Sequence, residues 1–207
     1  MLRLYGAARS RAVRTLWMLG ELGLNYDHKD YLPRAPETRT PEFRALNPNG
    51  RVPVIDDDGF VLSESMAINL YLSKKYESPL YPSDPRNEAL AWQWSLWETD
   101  RLDRQIVNYV RHTTEFPEAE RKKEIAEAAW QQVTESFDVL EAALAKAEWL
   151  AGPAFSVGDL NVAAALYRAF GDRYQEMATH AGLAPPLLGA PGSEAGARHA
   201  RRQIELG

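Results

Sequence analysis

Ser63, Glu64 and Ser65 open an apolar-periodic stretch, Met66, Ile68, Leu70 and Leu72. Hydroxyl residues at a helix start, beside N–H groups that have no intrahelical acceptor, form a ready site for a carboxylate or another anion. The same residue types also suit a plain N-terminal cap. Just upstream, Val52 precedes Pro53, and a residue before proline is pushed out of the α region into an extended form. Asp57, Asp58 and Gly59 separate two apolar runs, Val54-Ile55 and Phe60-Val61-Leu62, which predicts a hairpin. An extended backbone next to an anion site is a place where a short peptide could lie. Other chemistries are poorly provided for. The chain has no cysteine, so disulfides, zinc–thiolate sites and a cysteine nucleophile are excluded. Its four histidines, His28, His112, His180 and His199, are scattered without ligand spacing, and no metal site is expected.

The elements that must position these residues follow from the rest of the pattern. The 207 residues suit one large domain or two small ones, with ordinary apolar and charged content. A net charge of −5 gives no electrostatic case for nucleic acid or an anionic membrane. No apolar run approaches the length that spans a bilayer, and MLRLYGAARS lacks the apolar core of a secretory signal. Leu2 to Tyr5 reads as a strand. A helix is expected from Ser10, with Val13, Leu16 and Trp17 on one face and Gly23 as its stop. Tyr26 to Leu32 reads as a second strand. Thr40 and Pro41 are placed as N-cap and first residue of a further helix. With the hairpin and the helix at Ser65, the order up to residue 77 is β-α-β-α-β-β-α, an α/β unit with a small mixed sheet.

Residues 78–85 lie in a run rich in proline and turn residues and read as a linker. Beyond it no strand is evident, and residues 86–181 read as a helical domain. One stripe, over residues 86–112, runs Leu90, Trp94, Trp97, Arg101 or Leu102, and Ile106. A second runs Ile125, Ala129, Val133, Phe137, Leu140, Leu144. The aromatic residues Trp92, Trp94, Trp97 and Tyr109 are assigned mostly to helix core. Ser156 and Asp159 resemble a capping box, with Phe155 and Leu160 at the hydrophobic-staple positions. Residues 182–207 are dominated by Gly, Pro and Ala and read as a poorly ordered or divergent tail.

Four segments in this order, LYGAARSRAVRTLW, NPNGRVPVI, the Glu64-Ser65 pair with its helix, and FSVGDLNVA, resemble the cytosolic glutathione transferases, in particular bacterial-like, serine-type members. The resemblance covers roughly residues 1–170. It implies a thioredoxin-like N-terminal domain (α/β) followed by an all-helical C-terminal domain. The implied activity is transfer of an alkyl or aryl group to the sulfur of glutathione, a cosubstrate, in a cytoplasmic, homodimeric detoxification enzyme without a metal. The tail departs from the family, whose members usually end in further helices rich in Trp, Leu and Arg.

The resemblance also assigns roles. Pro53 would be cis, with Val52 pairing through its main chain with the cysteinyl part of glutathione. Ser65 would hold the γ-glutamyl carboxylate, with Glu64 fixing the amino group or the local geometry. Arg51 matches a basic residue near the glycyl end, where a guanidinium suits a carboxylate. Ser10 would donate a hydrogen bond to the sulfur and favour the thiolate. Laid on the tyrosine-type pattern instead, the same segment offers Tyr5 as that donor. Glu98 and Asp100 occupy the region from which an acid reaches the glutathione amine across the dimer, although a single acid there is more often a solvated helix face. A non-catalytic binding or scaffold relative is the alternative function, because fold does not settle activity.

Overall fold

The computed structural model describes residues 1–170. They divide into two compact units, one from Met1 to Tyr81 and one beginning at Pro82. The expectations placed on residues 171–207, including the divergent tail, lie outside the described residues.

The first unit is built on a four-stranded sheet in the order β2-β1-β3-β4, with β1 Leu2–Tyr5, β2 Asp27–Lys29, β3 Val54–Asp57 and β4 Phe60–Ser63. β1 runs parallel to β2 and antiparallel to β3, and the β3–β4 hairpin completes the sheet. Alternation along β1 sets its two faces. Leu2 and Leu4 are buried, while Arg3 and Tyr5 are half-buried on the other side. α1 (Ala12–Glu21) is buried from Ala12 to Leu19 and packs against α3 (Ser65–Lys75). α2 (Pro41–Leu46) is capped as its sequence demands: the Thr40 hydroxyl accepts from the Phe43 N–H at 3.2 Å. The order is therefore β-α-β-α-β-β-α, the thioredoxin-like arrangement.

The hairpin turn is tighter than the sequence pattern suggests. Asp57 belongs to β3, and only Asp58 and Gly59 turn, with φ of 53° and 92°. Two successive left-handed residues make the turn that matches strand twist. Asp57 is buried, and its carboxylate accepts from the Tyr71 hydroxyl at 2.8 Å and from the Lys75 ammonium, both on α3. Burial pushes its pKa up, but the bonds from Lys75 and Tyr71 together outweigh this and hold it below the usual carboxylate range.

The second unit is helical throughout its described residues: α4 (Pro85–Trp97), α5 (Arg104–Val110), α6 (Lys123–Leu144) and α7 (Val157–Phe170). Asp84 caps α4 by accepting from Arg86 and Asn87 N–H groups. The helix expected over 86–112 is interrupted: π turns occupy Glu98–Asp103 and Arg111–Glu115. Its buried face also differs. Leu90 is 36% exposed, whereas Ala91 is fully buried. The cause is α7, which approaches so closely that a Cβ at Gly158 would stand 2.9 Å from the Ala91 Cα. Only small residues fit there, so Ala91 and Ser95 face inward, and Asn161 Nδ2 donates to Ser95 Oγ at 2.8 Å. The aromatic assignment is corrected likewise: Trp94 is buried, Trp97 and Tyr109 are half-buried, and Trp92 is 49% exposed. On α6 the innermost residues are Ala126, Ala129, Val133, Ser136 and Leu140, so Ile125, Phe137 and Leu144 flank the stripe rather than form it. The capping box at Ser156 is present. Asp159 accepts from the Ser156 N–H (3.0 Å), the Ser156 hydroxyl (2.6 Å) and the Leu150 N–H (2.7 Å). Phe155 packs edge-on against Trp149.

Candidate functional site

One corner of the first unit gathers most of the chemistry-bearing residues. Its floor is the bend from Asn47 to Pro53. Asn47, itself buried, ties the bend: its Nδ2 donates to the Arg51 carbonyl at 2.8 Å and its Oδ1 accepts from the Asn49 N–H at 3.1 Å. The Val52-Pro53 peptide bond is cis. Val52 is half-buried, and its amide and carbonyl make no hydrogen bond among the described residues. A main chain presented in this way can pair with an extended peptide as an added strand would.

Gly6 brings the first loop onto this bend. Its φ is +142°, and a Cβ there would lie 2.7 Å from Ala12 Cβ and 3.2 Å from Val52 Cβ. Glycine is required on both counts. The loop continues through Ser10, 4% exposed, whose hydroxyl donates to the Ala7 carbonyl at 2.7 Å and accepts from the Ala12 N–H at 3.0 Å. Ser10 thus lies two residues before the helix expected to start with it, and it ties the loop to the first turn of α1. Tyr5 stands elsewhere. Its ring packs against Tyr31 and Phe43, and its hydroxyl accepts from Arg3 Nη1 at 3.4 Å. It is on the sheet face opposite Leu2 and Leu4.

The third wall is the N-terminus of α3. Glu64, its N-cap, is exposed and sits at φ +71°, a conformation that costs a non-glycine residue about 1–3 kcal/mol. That backbone kink turns the chain from β4 into the helix and leaves Ser65 as its first residue. Ser65 is 4% exposed. Its hydroxyl accepts from Arg14 Nη1 at 3.2 Å and donates to no described residue. Arg14 comes from α1 and is 1% exposed. The signal for it in the sequence is a charge set inside the apolar run of α1. Asn69, one turn beyond Ser65, donates through Nδ2 to the Arg14 carbonyl at 3.2 Å, so α1 and α3 are bridged twice through one residue.

The loop of Ser10, the Val52-Pro53 bend and Ser65 therefore converge through Gly6 and Arg14. Arg51 lies at the edge: its side chain is exposed and makes no ion pair among the described residues. Glu98 and Asp100 belong to the second unit. Asp100 is exposed beside Arg101, as a solvated helix face requires. Glu98 departs from that reading, being fully buried at the start of the first π turn with Thr99 Oγ1 donating to it at 3.3 Å. No group of three or more metal-ligating side chains occurs among the described residues. Nor is any described helix long and apolar enough to cross a membrane.

A thioredoxin-like domain that offers an unpaired main chain before a cis-proline and a free hydroxyl proton at a helix N-terminus has the chemistry to hold a short peptide with an anionic end. Comparisons with known proteins place it. Residues 1–74 match the family described as glutathione S-transferase, N-terminal domain, and residues 123–192 the corresponding C-terminal domain. The chain is 32% identical to the glutathione S-transferase GstB of Escherichia coli K12, with 82% of this chain and 84% of the relative covered. It is 31% identical to glutathione S-transferase D7 of Drosophila melanogaster, over 79% of this chain and 72% of that one. Among solved structures it is similar to the theta class enzyme of Xanthomonas axonopodis pv. citri with glutathione bound: 31% identity, TM-score 0.79, covering 91% of this chain and 96% of that chain. The chain belongs to the cytosolic glutathione transferase family.

Proposed function

We propose that the protein is a glutathione transferase that holds glutathione on the first unit and directs its thiolate at an electrophilic apolar carbon. The observation that carries this reading is the pairing of an unpaired Val52 main chain with the uncommitted Ser65 hydroxyl at the start of α3. The cysteinyl part of glutathione would pair with Val52, beside Pro53. Its γ-glutamyl carboxylate would take the Ser65 proton at the positive end of α3. Glu64, exposed at the same helix start, is suited to the amino group, and Arg51 to the glycyl carboxylate. Ser10 is the proposed donor to the sulfur. It stands on the loop that abuts Val52, whereas the Tyr5 ring packs against Tyr31 and Phe43 on the sheet face opposite Leu2 and Leu4. The transferred group leaves its leaving group as an anion while the thiolate forms the new carbon–sulfur bond. Proximity and thiolate stabilisation account for catalysis without a protein base. A homodimer, with the exposed Asp100 rather than the buried Glu98 reaching the partner's glutathione amine, and a cytoplasmic detoxification role belong to the same reading. So do the domain bounds of 1–77 for glutathione binding, a linker at 78–85 and a helical domain over 86–181.

One observation favours a second reading. The Ser10 proton is spent on the Ala7 carbonyl, so a protein that binds glutathione without activating it is consistent with this geometry. Retention on immobilised glutathione followed by conjugation of a chloronitroaromatic separates the two. The transferase reading expects retention and release of chloride with formation of the thioether. Retention without turnover leaves the binding reading, and absence of both overturns the assignment.

A further inference from the structure

Resting on the glutathione reading above, we propose that Arg14 is a positioning residue that aims the Ser65 hydroxyl and so sets selectivity for a carboxylate at that end of the ligand. A serine hydroxyl has one proton to donate and two lone pairs to accept with. Arg14 Nη1 occupies an acceptor site of Ser65 Oγ at 3.2 Å. Ser65 is 4% exposed, and no described residue takes its proton. With the inward side of the oxygen held by the guanidinium, the proton is left for an acceptor arriving at the helix N-terminus. Polarisation adds to direction, because a hydroxyl that accepts from a cation becomes a stronger donor.

Arg14 is itself fixed for this task. Its guanidinium is 1% exposed, its backbone belongs to α1, and its carbonyl accepts from Asn69 on α3. The bond to Ser65 and the bond from Asn69 lock the register of α3 against α1 where the ligand would dock. An anion arriving there meets the Ser65 hydroxyl proton and the N–H groups of the helix start together, at the positive end of the helix dipole, whereas a neutral end group meets donors arranged for charge.

The test compares glutathione with its analogue lacking the γ-glutamyl α-carboxylate, 4-aminobutanoyl-cysteinyl-glycine, by calorimetric Kd on the full chain. Wild type is expected to prefer glutathione by tenfold or more. Arg14→Met should weaken glutathione about tenfold and change the analogue by less than twofold. Ser65→Ala should do the same, and the double variant should lose little more than either single one. Arg14→Lys keeps the charge in a group of different reach and without the fork. It is expected to remain folded by circular dichroism and to lose glutathione selectivity in the same direction by a smaller factor. Equal losses for both ligands in Arg14→Lys or Arg14→Met would mean a merely structural role and overturn the proposal. So would additive effects of Arg14→Met and Ser65→Ala. A wild type that binds the two ligands equally well refutes the carboxylate role of Ser65. A wild type that binds neither overturns the glutathione reading itself, and this inference with it.

Discussion

Replacing Ser10 with alanine separates the two candidate sulfur donors. In the structure the Ser10 proton goes to the Ala7 carbonyl at 2.7 Å, and the Ala12 N–H occupies a lone pair of the same oxygen. Donating to a thiolate requires the O–H to rotate away from Ala7. That gives up a bond between neutral groups of about 0.5–1.5 kcal/mol and gains one to an ion of about 1.5–3 kcal/mol. The difference, about 1–1.5 kcal/mol, corresponds to about one pKa unit. Ser10→Ala should therefore raise the thiol pKa of bound glutathione by about one unit, and Tyr5→Phe should leave it in place. Thiolate absorbance of the binary complex, titrated against pH, reads the shift directly. Turnover should fall about tenfold below the wild-type pKa and converge with wild type above both values. The alanine also loses the link to the Ala12 N–H, at a cost of about 1 kcal/mol in stability, so the titration is run well below the melting temperature. A shift in Tyr5→Phe with none in Ser10→Ala would refute the assignment. No shift in either would show that backbone N–H groups alone hold the thiolate.

Other consequences are structural. Gly6→Ala forces a Cβ to within 2.7 Å of Ala12 Cβ at a φ of +142°, and is expected to cost about 2 kcal/mol or more in a denaturant titration and to abolish retention on glutathione. Asp57→Asn removes the carboxylate that binds Tyr71 and Lys75, with an expected loss of about 1–2 kcal/mol at neutral pH. The native pKa of Asp57 lies below its unfolded value, so its contribution is fully present above pH about 4 and disappears as pH falls through the native pKa. Melting curves of variant and wild type should accordingly converge in acid. Asp159 has the opposite sign. Burial raises its pKa, only partly offset by the donors at Leu150 and Ser156, so its ionisation contribution favours the fold below its unfolded value and is lost as pH rises through the native one. Asp159→Ala leaves the Leu150 and Ser156 N–H groups buried without their acceptor and should cost about 2–4 kcal/mol, measured by thermal or urea unfolding.

What the sequence disclosed was local in its causes. Thr40-Pro41, Asp58-Gly59 and Ser156 with Asp159 declare caps and turns because each satisfies its own neighbours within a few residues. The stripes in the second unit were less legible, since which face of a helix is buried depends on its partner. Leu90 gave way to Ala91 only because Gly158 of α7 comes so close. Arg14 was harder still: a charge inside the apolar run of α1 marks the residue, but its acceptor lies on α3, far away in sequence.

The same limit divides the two serines at the centre of the site. In sequence Ser10 and Ser65 look alike, hydroxyl residues at the start of a helix. In the fold the Ser10 proton is committed to Ala7, while Ser65 is held by Arg14 with its proton uncommitted. On the glutathione reading, recognition would be preorganised at α3, and activation at α1 would wait on a thiolate able to displace a carbonyl as acceptor of one proton. A neutral thiol gains too little from Ser10 to offset the bond to Ala7, whereas an ionised one does. Ionisation and reorientation of the Ser10 hydroxyl should then occur as a single step. An S-methylated glutathione, which cannot ionise, is expected to bind Ser10→Ala and wild type with the same affinity, even though glutathione itself distinguishes them at a pH where its bound thiol is ionised. If S-methylglutathione distinguishes them as well, Ser10 contributes to binding through its contact with the loop and not through the sulfur.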